Sequence, residues 1–372
     1  DQTQHRLRHL EALRAAGMEP YPLGGSLGST SAPVLGVKDA LRIFSSENIP
    51  DSEFMVSGRI RALRNHGGVL FATLIEGGET LQVVMERSLV GERPLSLASR
   101  NLDIGDIITV QGTYGVSRNG TQSLIATSWH IASKSLHPIP FDSFTDPEAR
   151  LRRRSTDLLV HPDQMQNLRL RTAVIKALRA RLDAEGFLEV ETPILHTVHG
   201  GASARPFRTY INAYGEDLTL RIAPELYLKR LVVGGFERVF EINRSFRNEG
   251  LSTRHNPEFT MLEFYWAYAD YRDLMNLTET LFRGIKRDVL DNQNITAGGE
   301  TIDLDQPYER LTMLDAIRRH APAYSEKLHD AAALAAILRD EYKQKVDDNT
   351  PLGHLHTLLF EEIAETRLIQ PT

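Results

Sequence analysis

One stretch in the second half of the chain concentrates side chains that could bind a charged ligand. Alternation with a period of two puts Phe259, Met261, Glu263 and Tyr265 on one face of an apolar segment. A carboxylate and a phenol therefore share a surface with an aromatic ring and a thioether. Arg247 ends the preceding apolar segment, and its planar guanidinium can donate two parallel hydrogen bonds to a carboxylate or a phosphate. These residue types favour a site for a phosphoryl-containing ligand.

Two strands must position these groups. Apolar residues alternate from Phe240 to Arg247 and again from Phe259 to Tyr265, which predicts an antiparallel hairpin. The connecting loop, Asn248 to Pro257, is too long and too charged for a tight turn, so we expect it to do more than reverse the chain. The alternative is a charged hairpin at a sheet edge, in which Arg and Glu form only a salt bridge.

The segment from 240 to 271 resembles motif 2 of the class II aminoacyl-tRNA synthetases. The strings that carry the resemblance are "FRNEG" and "RHNPEFTMLEFYWAYADY", and they are similar to the lysyl-tRNA synthetases in particular. The resemblance implies a ligase that uses ATP and Mg2+ to convert L-lysine to lysyl-adenylate and then transfers it to tRNA(Lys). By this resemblance Arg247 is the catalytic residue that bridges the α-phosphate and the substrate carboxylate.

The same resemblance assigns ATP-binding roles to the loop and to the start of the second strand. Arg254 and His255 would reach the outer phosphates, and Phe259 would stack on adenine. Glu249 and Asn256 would recognise the adenine amino group or fix the loop. Positioning and charge neutralisation dominate such phosphoryl chemistry, because the protein forms no covalent bond.

A pocket for a cationic substrate is expected on the second strand. An ammonium group held away from water needs carboxylate and hydroxyl partners, and Glu263 and Tyr265 supply that pair. The string "GGASARPF" also resembles the lysyl enzymes, which places Gly201 near the α-amino group of lysine. Glu225, at the start of a predicted helix, is placed there too by the resemblance. The alternative for Glu263 is a buried carboxylate paired to an arginine within the sheet.

A helix and strand upstream resemble motif 1 of the same enzymes. The helix is predicted from Asn167 to a left-handed cap at Gly186, and the strand "FLEVETPIL" follows. The resemblance implies a homodimer with Pro193 at its interface. The predicted buried stripe of the helix is Leu168, Val174, Ile175, Leu178 and Leu182.

The first half of the chain predicts a small β-barrel. Five short strands from Phe54 to about Ser133, with one helical piece between them, suit a Greek-key barrel of the OB type, which often binds single-stranded nucleic acid. The strings "SGRI", "FATLIEGGETLQ" and "LDIGDIITVQGT" resemble the anticodon-binding barrel of lysyl-tRNA synthetases, whereas "RNHGG" departs from it. The residues expected to bind the anticodon are Arg59, Arg61, Arg64, Phe71 and Gln82. The alternative is a core Phe71 beside a solvated basic face.

The predicted fold class is α+β with two domains. An N-terminal helix and the OB-fold barrel occupy residues 1–140, and a Pro-rich and then basic linker follows at 141–160. The class II catalytic domain occupies 161–372 and is built on an antiparallel β-sheet flanked by helices. Several short helices at about 313–367 are expected to form an insertion in that domain.

Composition limits the function classes. The 372 residues suffice for two domains, and 41% hydrophobic with 25% charged residues is typical of a globular protein. No apolar run approaches the roughly 18 residues of a membrane span, and the lack of cysteine excludes disulfides and thiolate metal sites. A net charge of -6 argues against binding nucleic acid through overall charge. We expect a cytoplasmic enzyme.

Three alternatives remain open. An aspartyl or asparaginyl synthetase would share the barrel and motif 2, but its pocket needs a cation. A non-catalytic RNA-binding paralogue is suggested because motif 3 is not found; in the resembled family that motif and the Mg2+ carboxylates follow the region of Thr372, so no metal site is expected within this chain. A third alternative is the synthetase part of an actinobacterial-type bifunctional protein that also makes lysylphosphatidylglycerol.

The lack of motif 3 generates a first prediction. The chain of 372 residues is expected not to form lysyl-adenylate, because the arginine that would clamp the γ-phosphate and the magnesium carboxylates are missing. Lysine-dependent exchange between ATP and pyrophosphate measures this step. Exchange at a rate comparable to that of a complete lysyl-tRNA synthetase would contradict the prediction.

Overall fold

The computed structural model describes residues 1–23, 34–117, 119–252 and 255–372. The chain divides into two compact units between Arg169 and Leu170. The domain boundaries expected at 140 and 160 stay a prediction, and the expected linker contains two short helices.

Strands dominate the first unit. Its elements are α1 (Gln2–Ala15), β1 (Val34–Gly36), α2 (Val37–Phe44), β2 (Phe54–Asn65), β3 (Val69–Glu76), β4 (Glu79–Glu86), α3 (Arg87–Val90), α4 (Glu92–Asn101), β5 (Ile107–Val116), β6 (Gln122–Ser133), α5 (Pro147–Arg152), α6 (Arg154–Val160) and the first part of α7 (Pro162–Ala184).

The five long strands close into the expected OB-fold barrel. The sheet order is β1-β2-β3-β4-β6-β5, and β5 pairs back onto β2. Register shifts at Ile60/Ala62 and at Gln111/Gly112 mark irregularities that bend the strands, as closure of a small barrel requires. Outside the barrel, β1 pairs with β2 in parallel, and two helices replace the single helical piece that was expected.

Alternating apolar residues fill the barrel. Val56, Ile60 and Leu74 are fully buried on neighbouring strands, as a half-buried strand with period two demands. Leu13 of α1 belongs to the same apolar cluster, so the N-terminal helix packs on the barrel.

A buried ionic network also ties α1 to the barrel. Lys134 is buried and hydrogen-bonds to Asp103 and, at 2.7 Å, to Asp106. His9 of α1 lies 2.9 Å from the same Asp103 carboxylate. Burial raises the pKa of Asp106, against the charge and the hydrogen bond of Lys134. The cluster is tolerated because each buried charge has a partner.

The basic run from Arg150 to Arg154 is largely engaged within its own unit. Arg150 and Arg154 each donate a hydrogen bond of 2.7 Å to the inaccessible carboxylate of Asp157. Burial alone would raise the pKa of Asp157, but these hydrogen bonds hold it below its usual range. The charges of these two arginines therefore stabilise α5 and α6.

The second unit mixes small sheets with helices. Its elements after α7 are β7 (Leu188–Glu189), β8 (Leu195–His196), β9 (Arg208–Ile211), β10 (Glu216–Leu220), α8 (Glu225–Val233), β11 (Arg238–Phe246), β12 (Glu258–Trp266), α9 (Tyr271–Val289), β13 (Ile295–Ala297), β14 (Glu300–Ile302), α10 (Met313–His320), α11 (Ala331–Asp340) and α12 (Leu352–Ile363), with 3-10 turns at Pro322–Lys327 and Glu365–Arg367.

The predicted hairpin is confirmed as β11 and β12, which pair antiparallel along their whole length. The sheets run β12-β11-β7 and β8-β10-β9, and β13 pairs with β14. Phe240 of β11 packs with Leu182 of α7 and with Leu277 and Leu281 of α9 in one buried cluster. Helices α7 and α9 therefore support the face of the hairpin that is opposite Glu263.

Two predictions around α7 are wrong in part. The strand expected over 187–195 is reduced to β7 and β8, because Pro193 has no N–H to donate to a ladder. In the expected stripe of α7 only Leu182 is fully buried, and Leu168 is 43% exposed. The left-handed cap is confirmed, since Gly186 has φ +79°.

The short helices expected at about 313–367 are present as α10 to α12, and their role as an insertion in the catalytic domain stays a prediction. Thr312 caps α10, because its side chain accepts a hydrogen bond from the Asp315 amide. The three helices share their own apolar cluster, in which Ile317, Leu338 and Leu359 are fully buried. In the described residues, none of the helices combines the length and the hydropathy that crossing a bilayer requires.

Gly112 provides a test of the barrel geometry. A Cβ atom there would lie 2.1 Å from the backbone oxygen of Ile125, which cannot move without breaking β6. We expect Gly112→Ala to lower the free energy of unfolding of the first unit by about 1–3 kcal/mol. Chemical denaturation followed by the fluorescence of Trp129 measures it. Gly68→Ala is the matched control, since a Cβ at that position meets no atom within 4 Å; equal destabilisation of both variants would contradict the prediction.

Candidate functional site

The register of β11 with β12 assembles the candidate site on one face of the hairpin. Ser245 lies opposite Phe259 and Glu241 opposite Glu263, so the odd-numbered residues of both strands face the same side. Arg247 continues this pattern, since its amide donates to the carbonyl of Pro257 at 2.9 Å. The structure therefore brings together the residues predicted on this face.

A cavity of about 300 Å³ lies at the loop end of the face. The Arg247 guanidinium lies 5.1 Å from the centroid of the Phe259 ring. Its Nε is buried and has no hydrogen-bond partner among the residues that the structure describes. Because an unpaired buried donor is costly, the cavity suits a ligand that carries an acceptor. The lining residues are Arg247, Glu249, Gly250, His255, Asn256, Pro257 and Phe259.

Hydrogen bonds join this cavity to the segment 200–207. The amide of Asn248 donates to the carbonyl of Arg205 at 2.7 Å, and Glu249 accepts from the Arg205 amide at 3.3 Å. His255 lies 2.9 Å from the hydroxyl of Ser252 through its Nδ1. Arg254, expected to bind the outer phosphates, lies outside the described residues.

The part of the site that was predicted to bind a cationic substrate contains the carboxylate of Glu263. The hydroxyl of Tyr265 donates to Glu263 at 3.2 Å. No basic side chain lies within ion-pair distance of Glu263 in the described part of the chain, so the alternative of an ion pair within the sheet does not hold there. Burial raises the pKa of Glu263, and the charges of Glu225 and Glu241 act in the same direction, against the hydrogen bond from Tyr265. Burial also raises the pKa of Tyr265, which stays a neutral donor.

Gly201 and Glu225 lie beside this half of the site. Gly201 has φ +86°, and a Cβ atom there would lie 2.8 Å from the Cβ of Glu225. Only glycine permits so close an approach of the loop to the start of α8. Glu225 accepts from Lys229 at 2.6 Å, and the Lys229 ammonium lies 5.9 Å from the ring centroid of Tyr265. The predicted lysine-binding residues are thus neighbours.

One buried ion pair of the site escaped the sequence analysis. Arg221 is inaccessible to solvent, and its Nη1 donates to Glu241 at 2.7 Å. The available signal was Glu241 itself, a charged residue in the otherwise apolar string "VFEI", on the same face as Glu263. Its partner could not be found by local spacing, because Arg221 lies twenty residues upstream.

A second cavity, of about 140 Å³, lies on the barrel of the first unit. It includes three of the residues expected to bind nucleic acid, and Phe71 is only half-buried, so the alternative of a core Phe71 does not hold. The hydroxyl of Ser123 donates to the Gln82 side-chain oxygen at 2.8 Å, which leaves the amide N–H groups available. The lining residues are Ala62, Arg64, His66, Phe71, Thr73, Gln82 and Asn119.

Arg59 and Arg61 do not join this cavity. The irregularity between Ile60 and Ala62 breaks the alternation of side chains along β2. Side chains before and after it therefore do not form one continuous row on the same face. Arg59 donates to the Gly105 carbonyl at 2.7 Å, and burial lowers its pKa. Arg61 pairs with Asp142 at 2.6 Å and lies over the ring of Phe141.

Pro193 lies between β7 and β8, where its carbonyl accepts from His196 at 2.9 Å. Pro193 is exposed to solvent in the single protomer. The role expected for it in a dimer interface stays a prediction.

Comparison with known proteins gives two family matches along the chain. Residues 146–354 match the family model described as tRNA synthetases class II (D, K and N), and residues 54–132 match the OB-fold nucleic acid binding domain. Among curated proteins, the chain is 44% identical over 370 residues to a lysine–tRNA ligase of Pelotomaculum thermopropionicum, covering 99% of this chain and 71% of the relative.

Two further relatives give the same result. A lysine–tRNA ligase of Magnetococcus marinus is 42% identical, with 98% of this chain and 72% of the relative covered. The heat-inducible lysine–tRNA ligase of Escherichia coli K12 is 41% identical, with 100% and 74% covered. The chain therefore belongs to the class II tRNA synthetases, in the family of the lysine–tRNA ligases.

Proposed function

We propose that this chain carries the amino-acid and ATP half-sites of a lysine–tRNA ligase, which forms lysyl-adenylate and transfers lysine to tRNA(Lys). The observation that carries the proposal is made on the face that also presents Arg247: Glu263 accepts a hydrogen bond from the phenol of Tyr265 and, among the described residues, has no cation within ion-pair distance. A half-buried carboxylate that lacks a cation is suited to a ligand that brings one.

Each charged group of lysine has a partner on the face. The ε-ammonium pairs with Glu263, and Tyr265 orients that carboxylate by donating a hydrogen bond to it. The α-amino group lies at Glu225, where Gly201 leaves the room that a side chain would fill. The carboxylate lies at Arg247. An aspartate or asparagine side chain would instead leave Glu263 without a cation, which disfavours that alternative.

ATP fits the cavity at the loop end. Arg247 offers its unpaired Nε to an anion, and the Phe259 ring offers an apolar surface to a base. When bound, ATP supplies the α-phosphorus that the lysine carboxylate attacks, with pyrophosphate as the leaving group. Arg247 holds the two anionic reactants together by screening their repulsion.

Magnesium has no site in the described part of the chain. Within those residues, no group of three or more carboxylate or imidazole side chains could hold a metal ion. We therefore derive no step that uses Mg2+ from these residues.

The barrel cavity is proposed to bind anticodon bases of tRNA(Lys). Phe71 gives a stacking surface, Gln82 gives amide donors to a base edge, and Arg64 gives a cation for the backbone. We further propose a cytoplasmic homodimer in which Pro193 lies at the interface, supported by membership of the family alone.

Lysine binding should depend on pH through Glu263. The pKa of Glu263 is raised in the free protein, and a bound ammonium favours the ionised form. Below the raised pKa, binding must therefore release a proton, and affinity should fall by up to about tenfold per pH unit as pH decreases towards the ordinary value of about 4.3. Affinity should be constant at higher pH, where Glu263 is already ionised, up to the pH at which the amino groups of lysine lose their protons. Calorimetry in buffers of different ionisation enthalpy counts the released protons.

The variant Glu263→Gln should remove this pH dependence. It should also weaken lysine binding by about 10- to 100-fold, since a hydrogen bond to a charged group contributes about 1.5–3 kcal/mol. Glu258→Gln, on the opposite face of the same strand, is the matched control and should bind lysine normally. Equal affinities for wild type and Glu263→Gln would contradict the proposed function.

The barrel site makes a separate prediction. Phe71→Ala should weaken binding of an anticodon stem–loop of tRNA(Lys) by about 1–3 kcal/mol, because stacking of one base on an aromatic ring contributes that much. Fluorescence anisotropy with labelled RNA measures it. Arg61→Ala should have a smaller effect, since Arg61 is engaged by Asp142 outside the cavity. A larger loss with Arg61→Ala than with Phe71→Ala would reverse the assignment.

A further inference from the structure

Arg221 in the second unit has a charged side chain with no accessible surface. Its Nε donates to the Arg244 carbonyl at 2.8 Å. Its Nη1 donates to Glu241 at 2.7 Å and to the Thr192 hydroxyl at 3.1 Å. A cation with no accessible surface remains charged only if its partners replace water, and the Glu241 carboxylate is the charged one among them.

Glu241 is equally enclosed, with 1% of its surface exposed. Besides Arg221 it accepts from the Thr192 hydroxyl at 2.6 Å and from the Asn243 side-chain amide at 3.2 Å. Its two oxygens are thus held in one orientation by three side chains. Within this arrangement Glu241 needs no further cation.

Three carboxylates surround the proposed amino-acid pocket, and their partners differ. Glu241 lies directly opposite Glu263 in the ladder, so the two carboxylates share one face. Glu241 is neutralised by Arg221, and Glu225 pairs with Lys229. Among the described residues, the partner of Glu263 is the neutral phenol of Tyr265. Without Arg221, two adjacent carboxylates would compete for one ammonium.

We propose that Arg221 is a positioning residue that determines the specificity of the pocket: by engaging Glu241, it leaves Glu263 as the carboxylate that takes the substrate ammonium. This inference rests on the proposed function. It explains why an inaccessible arginine lies beneath a site for a cation, where its charge would otherwise oppose binding. It also predicts the length of the accepted side chain, because the ammonium is paired at one fixed point of the strand.

The test compares lysine with ornithine, which carries its ammonium on a chain one methylene shorter. Arg221→Met releases Glu241 as a second carboxylate, so the variant should lose discrimination between the two ligands. We expect the ratio of the Kd of ornithine to that of lysine, from calorimetry on the full chain, to fall at least about fivefold, or about 1 kcal/mol. Arg244→Met is the matched control, because it breaks an exposed Arg–Glu pair on the same hairpin, with Glu258.

A second variant separates charge compensation from direct contact. The Nη2 of Arg221 is buried and has no hydrogen-bond partner among the described residues, so it could instead bind the substrate itself. Arg221→Met combined with Glu241→Gln removes both charges and keeps an acceptor for Thr192. Recovery of the wild-type Kd ratio in this double variant supports the proposal. Failure to recover, in a folded protein, overturns it in favour of direct contact.

Two other outcomes are equally decisive. A lower melting temperature of Arg221→Met with an unchanged Kd ratio means that Arg221 is only structural, and the proposal is wrong. If the wild-type chain binds neither ligand, the proposed function fails, and NMR titration of the Glu263 carboxyl then decides the inference. If the inference holds, Arg221→Met raises the pKa of Glu263, and the added Glu241→Gln reverses that shift. An unchanged pKa of Glu263 in Arg221→Met overturns the inference.

Discussion

The pairing of β11 with β12 is the constraint on which the rest of the site depends. Side chains alternate along each strand, so a slip of one residue in the pairing would place Arg247 on the face opposite that of Phe259 and Glu263. The register is fixed from behind, because Phe240 must pack among the leucines of α7 and α9. Apolar burial on one face thus determines the chemistry that is presented on the other.

The electrostatics of that face depend on a difference in burial and in partners between two residues of the same type. Glu241 and Glu263 are neighbours of the same residue type, yet one is fully enclosed with an arginine and the other is half-buried with a phenol. Burying both without partners would be costly, and pairing both internally would leave nothing for a ligand. The fold stabilises one carboxylate internally and leaves the other to the proposed ligand.

Local patterns predicted most of the architecture, and long-range contacts account for the remainder. The hairpin, the barrel and the helices α10 to α12 follow from periodicity and capping, which are properties of adjacent residues. Sequence spacing alone could not reveal that Arg221 would meet Glu241, nor that the irregularity after Ile60 would separate Arg59 and Arg61 from Phe71. The exposure of Leu168 was missed because helical periodicity identifies an apolar stripe but not what covers it.

The ion pair between Lys229 and Glu225 changes how the two ends of a bound amino acid contribute to affinity. Glu225 already holds an ammonium of the protein at 2.6 Å. In the proposed site, an incoming α-amino group would therefore exchange one ion pair for another, and the exposed Lys229 would return to water. The net gain in affinity at that end would be a small difference, whereas an ammonium at Glu263 would displace no ion pair among the described residues. The proposed recognition of the amino acid would consequently depend more on its side chain than on its backbone.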